Sequence, residues 1–363
     1  MGLLARYRRP LAVVAIALLA APMIAQMQQG PRPISEVEMR LLSRAPTFPQ
    51  TWQEWLALPR ALSRFLGDQF GFRDQLVRMH GLLRYAIDLP SDTRVIIGRD
   101  GWLFLNGDGT IDQVTGRLRR EALIAKTVAH ADQLNTRLKA RNARVVVAFP
   151  PNNATINRAR LPPWATEGSA VTEYDLLMKA LAERGVGAVD LRPPLLAANG
   201  TYPVYRRTDT HWNKLGALIA YNATVTAVGH PDWVIDPDRV LRGFRPVGGG
   251  DLARLLGISR DLPDEDAEID LTPYRALPVK VSHIDTQTDV EGTLVETGRT
   301  GPTVVVLGDS FTQGFWQDYF SLHAGRYVWM HYEQCNYSRK VVESYAPDIV
   351  ILAVTERQMF CWN

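Results

Sequence analysis

Five short apolar runs, most of them rich in β-branched residues, punctuate the chain between stretches with helical spacing. They are Val145 to Phe149, Val186 to Leu191, Thr303 to Leu307, Tyr327 to Met330 and Asp348 to Val354. Helical stretches precede the first two, at Glu121 to Ala140 and Tyr174 to Arg184, and an apolar helical run covers Leu215 to Val225. Strands that alternate with helices imply a mainly parallel sheet covered on both faces. The expected fold is therefore a three-layer α/β/α sandwich. At 363 residues, 46% of them hydrophobic, the chain has material for one large core.

The segments before this region read differently. Arg6, Arg8 and Arg9 precede an almost unbroken apolar run from Leu11 to Ala25, the pattern of an export signal. Ala21 and Ala25 suit cleavage while Pro22 and Met23 disfavour it, so residues 1–27 are either a removed signal peptide or a signal anchor. Prolines 31, 33, 46 and 49 mark a linker. From Trp52 to Leu89 the spacing of Trp55, Leu58, Leu62 and Phe65, then Leu76, Met79 and Leu83, predicts two helices interrupted near Phe70-Gly71-Phe72. Residues 28–95 thus form a linker and helical lead, and 96–363 the α/β domain. Within that domain, 229–300 is expected to be an insertion with little regular structure.

Charge excludes one class of function. The chain holds 41 basic and 38 acidic residues, and the three N-terminal arginines account for the whole excess. The remainder is neutral and lacks the basic footprint of a nucleic-acid binder. Cys335 and Cys361 are compatible with one disulfide in an oxidising compartment or with two buried thiols. No H-E-x-x-H and no cysteine pairs with zinc spacing occur, so neither a metal nor a cofactor is expected.

The strand at Thr303 to Leu307 runs into Gly308-Asp309-Ser310, which puts a serine at the carboxyl end of a strand, where α/β sheets build their sites. A serine nucleophile needs a base, and a histidine base needs an acid to hold its tautomer. Among seven histidines, His211 has Asp209 two places away, at the entrance to the helical run from Leu215. Taken singly, Ser310 and Asp209 are also helix-capping types and His211 is also a polar core residue. Together they make a candidate triad of Ser310, His211 and Asp209.

The order of these blocks carries a resemblance. Val304 to Ser310, the strand of Ala346-Pro347-Asp348 to Leu352, Arg144 to Pro151, and Val189-Asp190-Leu191 followed by Asp209 and His211 resemble the SGNH hydrolase superfamily in rotated order. This rotation, with Asp-x-His-Trp at 209–212, resembles the alginate O-acetyltransferases of the AlgJ/AlgX type. Ile97 to Phe104, Gly250-Asp251-Leu252 and Glu356-Arg357 add to that likeness.

The resemblance implies a circularly permuted SGNH topology, flavodoxin-like in its layering, with 96–363 as the catalytic domain. It implies a periplasmic enzyme that transfers acetyl groups to an exopolysaccharide through an acetyl-serine intermediate. It also implies a membrane-bound O-acyltransferase as donor partner and the inner membrane as the site of the N-terminal segment. A secreted polysaccharide acetyl esterase with the same triad, or an inactive polysaccharide-binding subunit of an export complex, are the competing readings.

Two positions depart from the superfamily. Thr355-Glu356-Arg357 stands where the oxyanion asparagine is expected, so Arg357 is either a substrate-side donor or a structural partner of Glu356. No glycine occupies the other oxyanion block, at His331 to Asn336. Among the aromatics after the serine, Trp316 is expected to contact the sugar, while Phe315 and Tyr319 are expected in the core.

Overall fold

The computed structural model describes residues 3–35, 37, 40–87, 94–107, 109–169, 171–274, 277–287 and 291–362. The chain divides into two compact units, Met1–Asp92 with Ala253–Leu262, and Thr93–Leu252 with Pro263–Asn363.

In the first unit, helix α1 spans Leu3–Gln29, and its Pro10–Gln29 stretch has a mean hydropathy of 2.0. Helices α2 (Trp52–Asp68) and α3 (Arg73–Ile87) follow, broken where the sequence predicts. Thr51 caps α2 by accepting the Glu54 N–H, while Glu54 accepts from Gln50 N at 2.6 Å. Between α2 and α3, Gly71 lies flat against α1. A Cβ there would overlap the Pro22 carbonyl and come within 3.0 Å of the Ala25 Cβ. Asp74 accepts from Arg32 and Ser35, and Arg78 pairs with Asp261 at 2.5 Å, which draws the linker and Ala253–Leu262 onto α3. Leu89 lies outside the described residues.

The second unit runs through the hairpin β1 (Val95–Ile97) and β2 (Leu103–Leu105), helix α4 (Glu121–Lys139), β3 (Arg144–Val147), α5 (Glu173–Glu183), β4 (Gly187–Ala188) and α6 (Lys214–Ala227). Then come β5 (Leu241–Val247), β6 (Asp264–Ile269), β7 (Lys280–His283), β8 (Gly292–Glu296), β9 (Thr303–Gly308), β10 (Arg326–His331) and β11 (Ile349–Ala353). One seven-stranded sheet has the order β4-β3-β11-β9-β10-β8-β7. The first five strands are parallel, and β8 and β7 add an antiparallel edge.

All residues of β9 and β11 are buried, as strands covered on both faces must be. Their alternation feeds two cores. Val304, Val306, Ile349 and Ile351 pack with Leu218 and Tyr221 of α6. Val305, Leu307, Val350 and Leu352 pack with Leu134 and Leu138 of α4 and Leu177 and Leu181 of α5. This is the expected α/β/α sandwich. The pairing of Val350 with Val145, beside that of Val305 with Val350, is the adjacency a rotated SGNH order requires.

Two expectations need correction. The strand predicted over Val186 to Leu191 shrinks to Gly187–Ala188: Val189 N–H still donates to the Val147 carbonyl at 2.9 Å, and the chain then turns to place Asp190 against Arg192 at 2.7 Å. Residues 229–300 are more regular than their composition suggests. They hold the β5–β6 ribbon and both antiparallel edge strands. Cys335 and Cys361 form a disulfide across a separation of 26 positions.

Candidate active site

Three carboxylates, Asp309 and Asp264 buried and Asp251 half-buried, build this site before any catalytic group is considered. Asp309, at the end of β9, caps the short helix Ser310–Gln313 by accepting the Phe311 N–H at 3.0 Å. Its other oxygen accepts from the Thr355 N–H at 2.9 Å and from the Thr355 hydroxyl, which locks the serine turn to the end of β11. Gly308 is required beside it, since a Cβ would overlap the Thr312 hydroxyl and lie 3.1 Å from the Ala353 carbonyl. Ser310 emerges from this turn exposed.

Asp264 holds the loop that carries the histidine. It accepts from the Thr208 N–H at 2.8 Å, the Thr208 hydroxyl at 2.5 Å and the Arg207 N–H at 3.2 Å. Asn153 donates to the Asp209 carbonyl at 3.0 Å from the neighbouring strand end. Helix α6 is capped by Asn213, whose side chain accepts the Gly216 N–H, so Asp209 is left for another task.

That task is orienting His211. Asp209 Oδ1 stands 2.7 Å from His211 Nδ1 and also accepts the His211 backbone N–H at 3.0 Å. His211 Nε2 stands 2.8 Å from Ser310 Oγ. The structure thus brings the three predicted residues into one line of hydrogen bonds. Burial pushes the Asp209 carboxyl up, but the His211 hydrogen bonds and charge and the nearby Arg206 outweigh it and hold the group well below the usual carboxylate range. Arg206 Nη1 lies 3.1 Å from Asp209 Oδ2.

Asp251 is the third carboxylate, and its role was not legible beyond its place in Gly250-Asp251-Leu252. It accepts the Thr210 N–H at 2.7 Å and hydroxyl at 2.5 Å, and its Oδ2 lies 3.7 Å from His211 Nδ1. Burial, then the negative charge of Asp209, push the Asp251 carboxyl up. Gly250 must be glycine here, because a Cβ would stand 2.5 Å from the Asp209 Oδ2 and 2.7 Å from the Thr208 carbonyl.

Beneath the histidine lies Phe311, its ring centroid 4.9 Å from that of His211. Trp212 fixes that neighbour: its indole N–H donates to the Phe311 carbonyl at 2.9 Å. Trp316 is the clear correction. It is fully buried, stacks on Trp212 at 6.2 Å and donates to the Ala217 carbonyl, so it presents no face to a sugar. The chain turns between Gln313 and Trp316, which leaves Phe315 half-buried at the edge of the same core. Phe315 lines the crevice over Ser310, about 240 Å³, together with Arg206, Trp212 and Asp266.

Arg357 does not pair with Glu356. Its guanidinium donates to the Asn152 side chain at 3.2 Å and lies 5.3 Å from the Phe311 ring centroid. The fully buried Glu356 accepts from Asn152 N and Thr155 Oγ1. A larger hollow of about 500 Å³, between Trp102, Tyr205, Arg207 and Glu265, does not include the serine.

The arrangement of an oriented imidazole against a serine on a strand-to-helix turn suits acyl transfer. Sequence comparison agrees. The model of one protein family, described as "SGNH hydrolase-like domain, acetyltransferase AlgX", matches residues 95–337, more than half of the chain. The chain belongs to this AlgX acetyltransferase family.

Its relatives include the probable alginate O-acetylase AlgJ of Pseudomonas syringae pv. tomato, 28% identical over 161 residues, which are 44% of this chain and 40% of that protein. The probable AlgJ of Pseudomonas putida is 28% identical over 134 residues, 37% of this chain and 34% of that one. The matched segments span less than half of either relative. Among solved structures, Bacillus cereus PatB1 shares the fold with a TM-score of 0.53 at 13% identity, covering 73% of this chain and 97% of that one.

Proposed function

We propose that this AlgX-family chain is a periplasmic O-acetyltransferase that moves acetyl groups onto hydroxyls of an exopolysaccharide through an acetyl-Ser310 intermediate. The observation that carries the reading is the pair of contacts at His211, 2.8 Å to Ser310 and 2.7 Å to Asp209. The names of its relatives, alginate O-acetylases, supply the transfer chemistry and a uronate polymer as the first acceptor to try.

In this reading His211 Nε2 takes the Ser310 proton as Oγ attacks the acetyl carbonyl, and the imidazolium returns it to the departing donor group. Asp209, kept ionised, stabilises that imidazolium. The Ser310 N–H, at the first position of its helix, is the donor to the developing oxyanion. An acceptor hydroxyl then gives its proton to His211, attacks the acetyl ester and frees Ser310. The donor arrives from a membrane-bound O-acyltransferase, no cofactor takes part, and α1 holds the enzyme at the inner membrane. Arg357, held beside Phe311 and Asn152, serves the substrate side.

The exposed Ser310 also admits water, which keeps hydrolysis in play. Offering a small acetyl ester with and without oligosaccharide separates the two. A transferase adds one acetyl mass to uronate or neutral oligosaccharides, and Ser310→Ala abolishes both this and ester cleavage. Deacetylation of an acetylated polymer with no transfer to any acceptor would establish an esterase instead.

A further inference from the structure

Helices α2 and α3 each carry two kinds of apolar residue. On α2, Leu58, Ala61 and Phe65 are half-buried against the rest of their unit. Trp52, Trp55, Leu56, Leu62 and Leu66, one to two positions around the same helix, are exposed, at 76% for Trp52 and 43% for Leu62. Their spacing puts them on one arc of the helix, with Arg60 and Arg64 on its flank and far side. On α3 the exposed set is Leu76, Met79, Leu83 and Ile87, again a single stripe, with Met79 at 65%. Packing inside the unit therefore uses one edge of each helix and leaves a second apolar edge facing outward.

The position of the turn between them says what meets that edge. Gly71 rests on Pro22 and Ala25 of α1, inside the 20-residue stretch of span length and composition, not beyond its end. At 1.5 Å per residue, Ala25 and Pro22 lie roughly 6 and 10 Å in from Gln29 along the helix. That is the depth at which interfacial amphipathic helices bury their apolar faces, about 5–10 Å. Phe70 and Phe72, which flank Gly71, are exposed there.

We infer that α2 and α3 lie in the interface of a phospholipid bilayer, with Trp52, Leu62, Leu66, Met79 and Leu83 immersed and Arg60 and Arg64 reaching the anionic headgroups. This rests on α1 as the membrane anchor. The anchor fixes the unit at the bilayer, and the two helices add a broad interfacial foot to it.

The test uses the full chain in vesicles of phosphatidylethanolamine and phosphatidylglycerol, with an environment-sensitive fluorophore at one introduced thiol. Cys335 and Cys361 are joined and leave the label to Val14→Cys, Leu62→Cys, Met79→Cys or Arg64→Cys. Labels at 62 and 79 should be quenched by a lipid-borne quencher at least about twofold more than the label at 64, and shielded from aqueous iodide. Lipid quenching at 14 with iodide quenching at 62 and 79 overturns the inference and leaves the anchor standing. No lipid quenching at 14 overturns the anchor itself. Shielding of 62 and 79 only when the membrane acyltransferase is co-reconstituted assigns the face to a protein and also overturns the inference.

Discussion

Asp251 takes both the N–H and the hydroxyl of Thr210, the residue between the two members of the Asp209–His211 pair. The peptide that links acid to base is thereby pinned from the side opposite the serine. Removing the pin with Asp251→Ala should lower kcat/KM for a small acetyl ester by about 10- to 100-fold, since a misplacement of about 1 Å costs that order. Ester cleavage unchanged within twofold would show that the loop holds its geometry without Asp251.

The same residue should leave a mark on stability against pH. Burial and Asp209 raise its folded-state pKa above the ordinary carboxylate value, so the folded protein holds this proton more tightly than the unfolded chain. Its ionisation therefore costs stability at neutral pH, and the cost is relieved as pH falls toward the ordinary carboxylate range, near 4. Asp251→Asn lacks this relief. The Tm of the wild type minus that of Asp251→Asn should grow as pH drops from 7 to 4, and a constant or shrinking difference would contradict the assignment. Asp209 acts in the opposite sense: its lowered pKa supplies stability above the carboxylate range that is lost only in stronger acid.

Gly250→Ala tests the packing against the triad without replacing any of its members. The new methyl would press on the Asp209 Cβ and Oδ2, both 2.5 Å away. Activity should fall by about 10²-fold while stability drops by only about 1–3 kcal/mol. Wild-type rates in a variant of unchanged fold would mean that Asp209 tolerates displacement.

Phe315 and Trp316 should separate binding from folding. Phe315→Ala should raise KM for a polysaccharide acceptor several-fold with little change in melting. Trp316→Ala, which empties a buried indole and removes its hydrogen bond to the Ala217 carbonyl, should destabilise by about 3–5 kcal/mol. Urea melts alongside acceptor kinetics measure both. The reverse pattern would restore Trp316 to the substrate side.

Opening the Cys335–Cys361 loop by replacing both cysteines with serine should cost about 3 kcal/mol in urea unfolding, given the entropy of closing a loop of this size. A loss below about 1 kcal/mol would indicate that the C-terminal segment is held by packing alone.

The parts of the fold that the chain announces are those where local pattern and burial agree. Val304 to Leu307 and Ile349 to Leu352 are covered on both faces, so they are apolar throughout and stand out. The β5–β6 ribbon stayed hidden because its strands read Leu-Arg-Gly-Phe-Arg-Pro-Val and Asp-Glu-Asp-Ala-Glu-Ile, with charges on a solvated face that resemble loop composition. The triad was legible because Asp-x-His and Gly-Asp-Ser are short and local. Asp264 and Asp251 were not, since nothing in their own neighbourhoods reveals that they close on Thr208 and Thr210. Trp316 is near Ser310 in the chain but not in the site, because one helix ends at Gln313 and another starts at Trp316, which puts the indole in the core.

The pairing of β3 with β11 sets when the serine turn can be completed. Arg144 meets Ile349 across 205 positions, and β11 stands between β3 and β9 in the sheet. Such long-range closure is slow, on the order of milliseconds to seconds. Until β11 docks, Thr355 is not in place to hold Asp309, and the serine turn lacks the clamp that aims Ser310 at His211. The acid and base at 209 and 211 therefore precede along the chain every residue that clamps the serine turn, and the nucleophile is the last part of the site to be set.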